Sequence, residues 1–313
     1  MVRIAVAGEG AFGAKHLESL ASIEDAEVVR LAGADAAATQ ALAARFGLPG
    51  WSTRFEDCLA GDVDAVVLAT PTPLHAAQAM QCLAAGKAVQ VEIPMADNLA
   101  DAERLAETAA GAGVVAMAGH TRRFNLSHQW VRRGIEAGRL TLRQMDVQTY
   151  FLRRTNTNAL GQPRSWTDHL LWHHAAHTVD LFLHQTGETP SLARAVEGPP
   201  HPKLGIAMDM SVQLKSASGA ICTLSLSFNN DGPFGSVFRY ICDEGSFVAR
   251  YDELVDGWDK PIDVSGVATV TDGVQLQDRE FIAAIQDGRE PRSSVRAVLP
   301  AYRVLGQLAR DLA

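Results

Sequence analysis

The sequence predicts an α/β fold: an N-terminal Rossmann domain with a doubly wound parallel sheet, then a C-terminal α+β domain with a large, mostly antiparallel open sheet. Over residues 1–123, short apolar runs alternate with amphipathic helical patterns, as in parallel sheets covered on both faces. Beyond residue 123, runs with a period of two residues alternate with glycine-containing turns, which favours antiparallel strands. Because 313 residues exceed what one core usually holds, we expect two domains, 1–123 and 124–313.

Five strands and four helices are predicted in the first domain. The apolar runs lie at 2–7, 26–33, 63–70, 88–92 and 114–120. Helical patterns cover about 14–22, 35–47, 74–86 and 101–113. Strands followed by helices in this rhythm predict a parallel sheet covered by helices on both faces.

The second domain has a different rhythm. A helix at 127–138 precedes a period-two strand at 143–154, an irregular segment at 155–164 and a helix near 167–186, for which Thr167 or Asp168 is a suitable N-cap. The remaining strands are predicted at 208–216, 220–229, 237–243 and 246–252, and the last 35 residues have a helical pattern.

The composition excludes several classes of partner. A net charge of −8 argues against nucleic acid and against an anionic membrane. The sequence has no run of about 18 apolar residues and no charged leader before an apolar stretch, so we expect a cytoplasmic protein. The four cysteines are widely spaced, which indicates isolated reduced thiols.

One region of this acidic chain is basic. Between His120 and His184 there are nine arginines, no lysine and four acids, together with seven of the ten histidines. Arginine binds carboxylates in a bidentate manner, so this region predicts a small anionic substrate that carries carboxylates.

A glycine loop follows the first strand directly. Residues 8–13 read GEGAFG, so Gly8, Gly10 and Gly13 match G-x-G-x-x-G between a strand and a helix. In this pattern Gly8 forms the tight turn, Gly10 admits a pyrophosphate and Gly13 lets the helix pack on the strand. The loop, with Ala11 and Phe12, therefore predicts a dinucleotide site at the helix N-terminus.

The end of the second strand bears on the choice of cofactor. The position about 20 residues past the loop, where an acid usually binds the ribose 2′-hydroxyl, is Gly33. Without a carboxylate at Gly33 a 2′-phosphate is not repelled there, but Ala34 is not an arginine and Asp35 is close. We expect NADP, with NAD as the alternative.

Three loop segments resemble the Gfo/Idh/MocA oxidoreductases. They are ATPTPLH at 69–75, AGK at 85–87 and VEIP at 91–94, and the resemblance continues at 119–124, where the family's fifth strand ends before an arginine-phenylalanine pair. It implies a dehydrogenase whose cofactor is lined by Thr70, Pro71, Thr72 and His75, with Glu92 near the nicotinamide ribose. Two family features differ: Ile93 replaces a lysine, and the family's Asp-x-x-x-His becomes His173-x-x-x-His177.

A row of histidines offers a base in place of that lysine. His169, His173 and His177 are four residues apart and would lie along one helical face, with His174 beside them. Imidazole suits removal of a hydroxyl proton near neutral pH, so His173 or His177 is the predicted base and the other orients it or the substrate. Asp168 or Asp180 could fix the tautomer. Zinc is a weaker interpretation, because no third ligand stands at motif spacing, and we expect no metal.

Substrate contacts are predicted for residues around this row. They are Arg122, Arg123, Arg164, His169, His174 and Asp180. Longer segments, among them MDVQTYFLRR at 145–154 and SLSFNNDGP at 225–233, are similar to a member of the same family that acts on an anionic hemiacetal from aromatic-ring fission.

Three functions are compatible with these features. The leading hypothesis is an NADP-dependent dehydrogenase of such a hemiacetal. The first alternative, a sugar or polyol dehydrogenase of the same family, leaves the arginines unexplained. The second, a non-catalytic dinucleotide sensor, leaves the histidines unexplained. By analogy of fold, the open sheet also suggests a homodimer.

Overall fold

A computed structural model describes residues 1–157, 161, 163–164, 166–268 and 272–312. By Cα proximity the chain divides into two compact units. Unit 1 contains residues 1–119, 157–166 and 274–299, and unit 2 contains residues 120–156, 167–273 and 300–313. Both units include residues from either side of position 123, and the predicted domain boundaries remain a prediction.

Unit 1 contains a six-stranded parallel sheet. Its strands are β1 (Val2–Ala7), β2 (Ala26–Ala32), β3 (Trp51–Ser52), β4 (Ala65–Leu68), β5 (Ala88–Val91) and β6 (Ala116–Ala118). Their order is β3-β2-β1-β4-β5-β6, so the chain order reverses between β1 and β4. In open α/β sheets a ligand binds beyond the carboxyl ends of the strands at such a switch point. The two-residue strand β3 lacks any period that a sequence prediction could detect.

Four helices connect the strands of unit 1. They are α1 (Ala11–Leu20), α2 (Ala36–Arg45), α3 (His75–Ala84) and α4 (Leu99–Ala112). Asp35 caps α2 by accepting a hydrogen bond from Ala38 N–H at 2.8 Å, and Asn98 caps α4 through Asp101 N–H at 2.9 Å. Helix α4 ends at Gly113, whose φ of 67° is the left-handed conformation that favours glycine.

Unit 2 contains a seven-stranded mixed sheet. Its strands are β7 (Leu142–Tyr150), β8 (Leu192–Glu197), β9 (Asp209–Lys215), β10 (Ile221–Ser227), β11 (Gly235–Cys242), β12 (Gly245–Arg250) and β13 (Glu253–Asp256). The order is β13-β12-β11-β7-β10-β9-β8, and the pair β7–β10 is parallel while the others are antiparallel. In β9 exposed and buried residues alternate strictly, so one face of that strand is open. These two sheets confirm the predicted fold class.

The helix predicted over 167–186 begins later than expected. Helix α5 (Leu126–Glu136) is followed, after β7, by a π-helical segment at Leu170–Ala175, and then by α6 (Ala176–Thr186). His169 is the N-cap, because its Nδ1 accepts a hydrogen bond from Leu171 N–H at 3.1 Å; the prediction of Thr167 or Asp168 was wrong. His169 therefore stands outside the helix, and the predicted row on one face is reduced to His173 and His177. Part of the irregular segment predicted at 155–164 lies outside the described residues.

Two helices follow the second sheet in the chain, as the helical pattern of the last 35 residues predicts. They are α7 (Gly273–Asp287) and α8 (Val295–Leu312). Residues 274–287 of α7 belong to unit 1, and α8 passes from unit 1 to unit 2 between Leu299 and Pro300. In the part of the chain that the structure describes, none of the helices is long and apolar enough to cross a membrane.

Candidate active site

The glycine loop of unit 1 has the geometry that a pyrophosphate requires. Gly8 has a φ of 120°, and a Cβ there would lie 2.3 Å from the Ala69 carbonyl oxygen. A Cβ on Gly13 would lie 1.9 Å from the Gly8 carbonyl oxygen, whereas one on Gly10 would meet nothing within 4 Å. Helix α1 starts at Ala11, and no described side chain caps it. Its first N–H groups, including that of Phe12, are thus placed for an anion over Gly10, so these residues fit a dinucleotide.

The loop after β4 is tied to the turn after β5. His75 Nδ1 lies 2.8 Å from the Pro94 carbonyl oxygen, and its Nε2 lies 2.7 Å from the Thr70 carbonyl oxygen. Thr70 Oγ1 also donates to Gln78 at 2.6 Å. His75 is buried, so its ring joins the two loops, and its predicted contact with a cofactor remains a prediction. Pro71 and Thr72 are half-buried at the start of the turn that leads into α3.

Glu92 belongs to a buried charge cluster, which consists of His16, Glu92 and Asp278. His16 Nε2 lies 3.2 Å from Glu92 Oε1, and His16 Nδ1 lies 3.0 Å from Asp278 Oδ1. Gln277 donates to Glu92 at 2.9 Å, and Gln90 donates to Asp278 at 2.7 Å. The imidazole thus holds the Glu92 carboxylate from one side and is itself held by Asp278.

The pKa values of this cluster follow from its geometry. Burial alone would lower the pKa of His16, but the Asp278 and Glu92 carboxylates outweigh burial and raise it to about 10. Burial alone would raise the pKa of Glu92, yet the His16 imidazolium and the Gln277 amide lower it. Near neutral pH the cluster therefore holds one imidazolium and two carboxylates. Sequence reasoning missed His16 and Asp278, because a separation of 262 positions along the chain hides their contact.

The Glu9 carboxylate lies beside Gly33, the position where the sequence has no acid of its own. Glu9, inside the glycine loop, accepts hydrogen bonds from Ala34 N–H at 3.0 Å and from Asp35 N–H at 2.9 Å. A Cβ on Gly33 would lie 2.6 Å from Glu9 Oε2. The expectation that no carboxylate faces a 2′-phosphate at Gly33 was therefore wrong. That expectation considered only the end of β2, whereas the acid comes from the glycine loop that precedes it in the chain.

In unit 2 the predicted substrate ligands Arg123 and Asp180 bind each other. Arg123 Nε and Nη2 donate to the two Asp180 oxygens at 2.8 and 2.6 Å, and both residues are buried. His120 Nδ1 lies 3.4 Å from Asp180 Oδ2. Burial alone would raise the pKa of Asp180, but Arg123 and His120 lower it. In this geometry Asp180 is the counter-ion of Arg123, and the predicted contact of either group with the substrate remains a prediction.

Arg122 is placed differently. Its guanidinium carbon lies 4.8 Å from the Tyr251 ring centre and 5.6 Å from that of Phe238. Nη1 donates to Asn125 Oδ1 at 3.3 Å, whereas Nε is buried with no hydrogen-bond partner among the described residues. Burial lowers the pKa of Arg122, but guanidinium stays charged at any physiological pH. Arg122 is therefore a half-buried cation whose buried Nε is a donor that an anion can use.

The three central histidines differ in their surroundings. His174 packs against Phe228, with ring centres 5.0 Å apart, and burial lowers its pKa well below the ordinary value. His177 lies edge-on to His120, with centres 6.2 Å apart, and burial and then Arg122 lower its pKa in the same way. His173 is 29% exposed, with Nε2 4.0 Å from Asp168 Oδ1. His177 and His173 thus retain the chemistry expected of a base, while His174 serves packing.

The other residues of the basic region have different surroundings. His169 is exposed, although partial burial lowers its pKa, and its ring is used as a helix cap. Arg164 belongs to unit 1 and stacks 5.2 Å from the Trp166 ring. Arg153 donates to Asp168 at 2.8 Å and lies 4.5 Å from the Phe228 ring. Within the described ranges, no three His, Cys, Asp or Glu side chains are grouped closely enough to hold a metal.

Comparison with known proteins gives concordant matches. The family described as "Oxidoreductase family, NAD-binding Rossmann fold" matches residues 2–120, and "Bacterial oxidoreductases, C-terminal" matches residues 126–268. The 4-carboxy-2-hydroxymuconate-6-semialdehyde dehydrogenase of Sphingobium sp. (strain NBRC 103272 / SYK-6) is 60% identical over 312 residues, which span 99% of each chain.

Solved structures share the fold. A putative myo-inositol dehydrogenase from Sinorhizobium meliloti 1021 has a TM-score of 0.83 at 23% identity, covering 100% of this chain and 97% of that one. An oxidoreductase from Agrobacterium radiobacter, solved with NAD+, L-tartaric acid and magnesium, has a TM-score of 0.81 at 16% identity, covering 99% and 96%. At these identities the likeness shows the fold alone.

Proposed function

Because the chain belongs to the Gfo/Idh/MocA family of nicotinamide dinucleotide-dependent oxidoreductases, we propose that it oxidises the cyclic hemiacetal of 4-carboxy-2-hydroxymuconate-6-semialdehyde to 2-pyrone-4,6-dicarboxylate with a nicotinamide dinucleotide, NADP or NAD, as acceptor. This reaction is a step of the protocatechuate 4,5-cleavage route. The observation that carries the proposal is the end-to-end match to the Sphingobium dehydrogenase, at 60% identity over 312 residues.

Residues of unit 1 would hold the cofactor. The N–H groups at the start of α1 and the open space over Gly10 would take the pyrophosphate, and Glu92 would accept from the nicotinamide ribose. When bound, the nicotinamide supplies a hydride acceptor. His16 keeps Glu92 ionised and in place for this contact.

In unit 2 we assign His177 as the base. A base must be neutral before it accepts a proton, and burial together with Arg122 keeps His177 neutral near pH 7. As the O–H bond of the hemiacetal breaks, its proton passes to imidazole and its electron pair forms the lactone carbonyl while hydride leaves the carbon. His173, beside Asp168, would orient the substrate hydroxyl.

Arg122 is the proposed ligand of a substrate carboxylate. Its buried Nε has no hydrogen-bond partner among the described residues, and its charge lacks the bidentate carboxylate that Arg123 has in Asp180. A dicarboxylate bound at Arg122 would offset the positive potential on His177 and raise the pKa of this base. The base would then become stronger when the anionic substrate is present.

The direct test is to add NADP or NAD to the cyclised semialdehyde and follow the reduced nicotinamide. We expect His173→Asn and His177→Asn to lower kcat on the order of 100-fold or more, with dinucleotide Kd nearly unchanged. His201→Asn is the matched control, because His201 lies in a turn where its Nδ1 accepts from Lys203 N–H at 3.2 Å. Wild-type turnover in both variants would exclude the proton assignment.

The sugar or polyol alternative is an outcome of the same assay. Activity on inositol or glucose, with none on the semialdehyde, would overturn the proposal. The proposed homodimer would be tested separately, by light scattering after size-exclusion chromatography.

A further inference from the structure

We infer that Glu9 sets the preference between NAD and NADP and acts against NADP. Its carboxylate lies where a ribose 2′-phosphate would lie, and it accepts hydrogen bonds from the backbone N–H groups that the phosphate would need. The inference deepens the proposed function, since it concerns the same cofactor, but it assumes nothing about the hemiacetal substrate.

Both oxygens of Glu9 lie at the turn between β2 and α2. Oε1 accepts from Ala34 N–H at 3.0 Å and from Asp35 N–H at 2.9 Å. Oε2 lies 2.6 Å from where a Cβ on Gly33 would stand. Glycine at this position thus leaves the space that the Glu9 side chain fills.

This turn is where dinucleotide-binding folds recognise the adenosine ribose. A carboxylate there can accept a hydrogen bond from the 2′-hydroxyl of NAD, whereas it repels the 2′-phosphate of NADP. Glu9 therefore supplies, from the glycine loop, the acid that other folds carry at the end of β2. To bind NADP, Glu9 has to leave two N–H groups that only then become available to phosphate oxygens.

Other charged groups near this turn are used elsewhere. Asp35 Oδ1 caps α2 through Ala38 N–H at 2.8 Å. Arg30 lies 3.1 Å from Asp62, and Arg45 lies 2.7 Å from Glu18. Each of these arginines thus already has a carboxylate within hydrogen-bond distance.

The experiment compares binding of the two cofactors rather than turnover. Kd values for NAD and NADP are measured by isothermal titration calorimetry for the wild type, Glu9→Gln and Glu9→Ala. Because the Glu9 carboxylate and a 2′-phosphate carry like charges, we expect the ratio Kd(NAD)/Kd(NADP) to rise about tenfold or more in Glu9→Ala. Glu9→Gln should shift the ratio in the same direction but less, because its amide oxygen can stay on the two N–H groups.

Glu18→Gln is the matched control, since it removes one exposed carboxylate from α1 and should leave the ratio unchanged. A ratio that stays constant in both Glu9 variants, or that moves towards NAD, would overturn the inference. The two proposals fail separately: a shifted ratio without oxidation of the semialdehyde would leave Glu9 its role and remove the proposed reaction. Oxidation with an unshifted ratio would do the reverse.

Discussion

Replacement of His16 by glutamine removes the only cation of the buried charge cluster. In the wild type one imidazolium lies between two carboxylates, and all three side chains are buried. His16→Gln leaves both Glu92 and Asp278 without a counter-charge, which changes the net charge of the cluster from −1 to −2. Asp278→Asn changes it from −1 to 0, because the His16–Glu92 pair remains.

The size of the effect follows from the pKa of His16. A folded-state pKa of about 10, against an ordinary value of 6.5, means that the native state binds a proton that the unfolded chain releases above pH 6.5. The corresponding stabilisation is complete below pH 6.5, is lost as the pH rises through 10, and amounts to about 4 kcal/mol at pH 7. Removing one partner of a buried ion pair costs about 3–5 kcal/mol, in agreement with that value.

We therefore expect His16→Gln to lower the free energy of unfolding by about 4 kcal/mol at pH 7. Asp278→Asn should cost about 1.5–3 kcal/mol, the value of a hydrogen bond to a charged group. The double variant should be more stable than His16→Gln, because it removes an unpaired buried carboxylate. Urea unfolding, followed by tryptophan fluorescence, measures the free energy of unfolding of all four proteins. Equal slopes of this free energy against urea concentration show that each protein exposes the same surface on unfolding.

Two results would refute a buried imidazolium between two carboxylates. One is a double variant whose loss of unfolding free energy equals the sum of the two single losses, and the other is a loss below about 1 kcal/mol in His16→Gln. A second measurement separates positioning from stability. If His16 holds Glu92 for the cofactor, His16→Gln also raises the Kd for the dinucleotide under conditions where the variant is fully folded.

Two further predictions concern single contacts. Gly119→Ala should weaken dinucleotide binding about tenfold or more, because its Cβ would lie 2.3 Å from Glu92 Oε1 and would displace the carboxylate that we propose binds the ribose. The control is Gly111→Ala in α4, where a Cβ meets nothing within 4 Å. This control should stabilise the protein by about 0.5–1 kcal/mol. Because Arg122 lowers the pKa of His177, Arg122→Met should move the acid limb of the kcat/KM–pH profile to higher pH, while Arg122→Lys, which keeps the charge, should not. An unmoved limb in Arg122→Met would exclude His177 as the base.

Local patterns predicted most of the fold. The glycine loop, the apolar strands and the amphipathic helices are written in neighbouring residues, so the parallel sheet of unit 1 could be anticipated. The strand β3 and the π-helical segment at Leu170–Ala175 could not, because two residues carry no period and a π-helix has no sequence signature of its own. The predicted row of histidines assumed a regular α-helix from residue 167, whereas this segment is π-helical and His169 is its N-cap.

The sequence indicated which residue types are present at the candidate site, but not which hydrogen-bond and ion-pair partners they have. Histidines and arginines of the basic region do meet in unit 2, as His177 and Arg122 show. That Arg123 is neutralised by Asp180 depends on a contact across 57 residues, and Glu9 reaches Asp35 across 26. A sequence shows the charge of a side chain, but the fold determines which counter-ion neutralises that charge.

The isoleucine at position 93 fits the charges around it. Ile93 is 6% exposed, and the adjacent Glu92 already has its cation in His16. A lysine at position 93 would need a second carboxylate or lose its own charge to burial. His16 cannot take over proton transfer, because its pKa of about 10 keeps it protonated through the neutral range, and Glu92 stays ionised there. Neither member of this pair changes its protonation near pH 7, which is why we look for the base among the neutral imidazoles of unit 2.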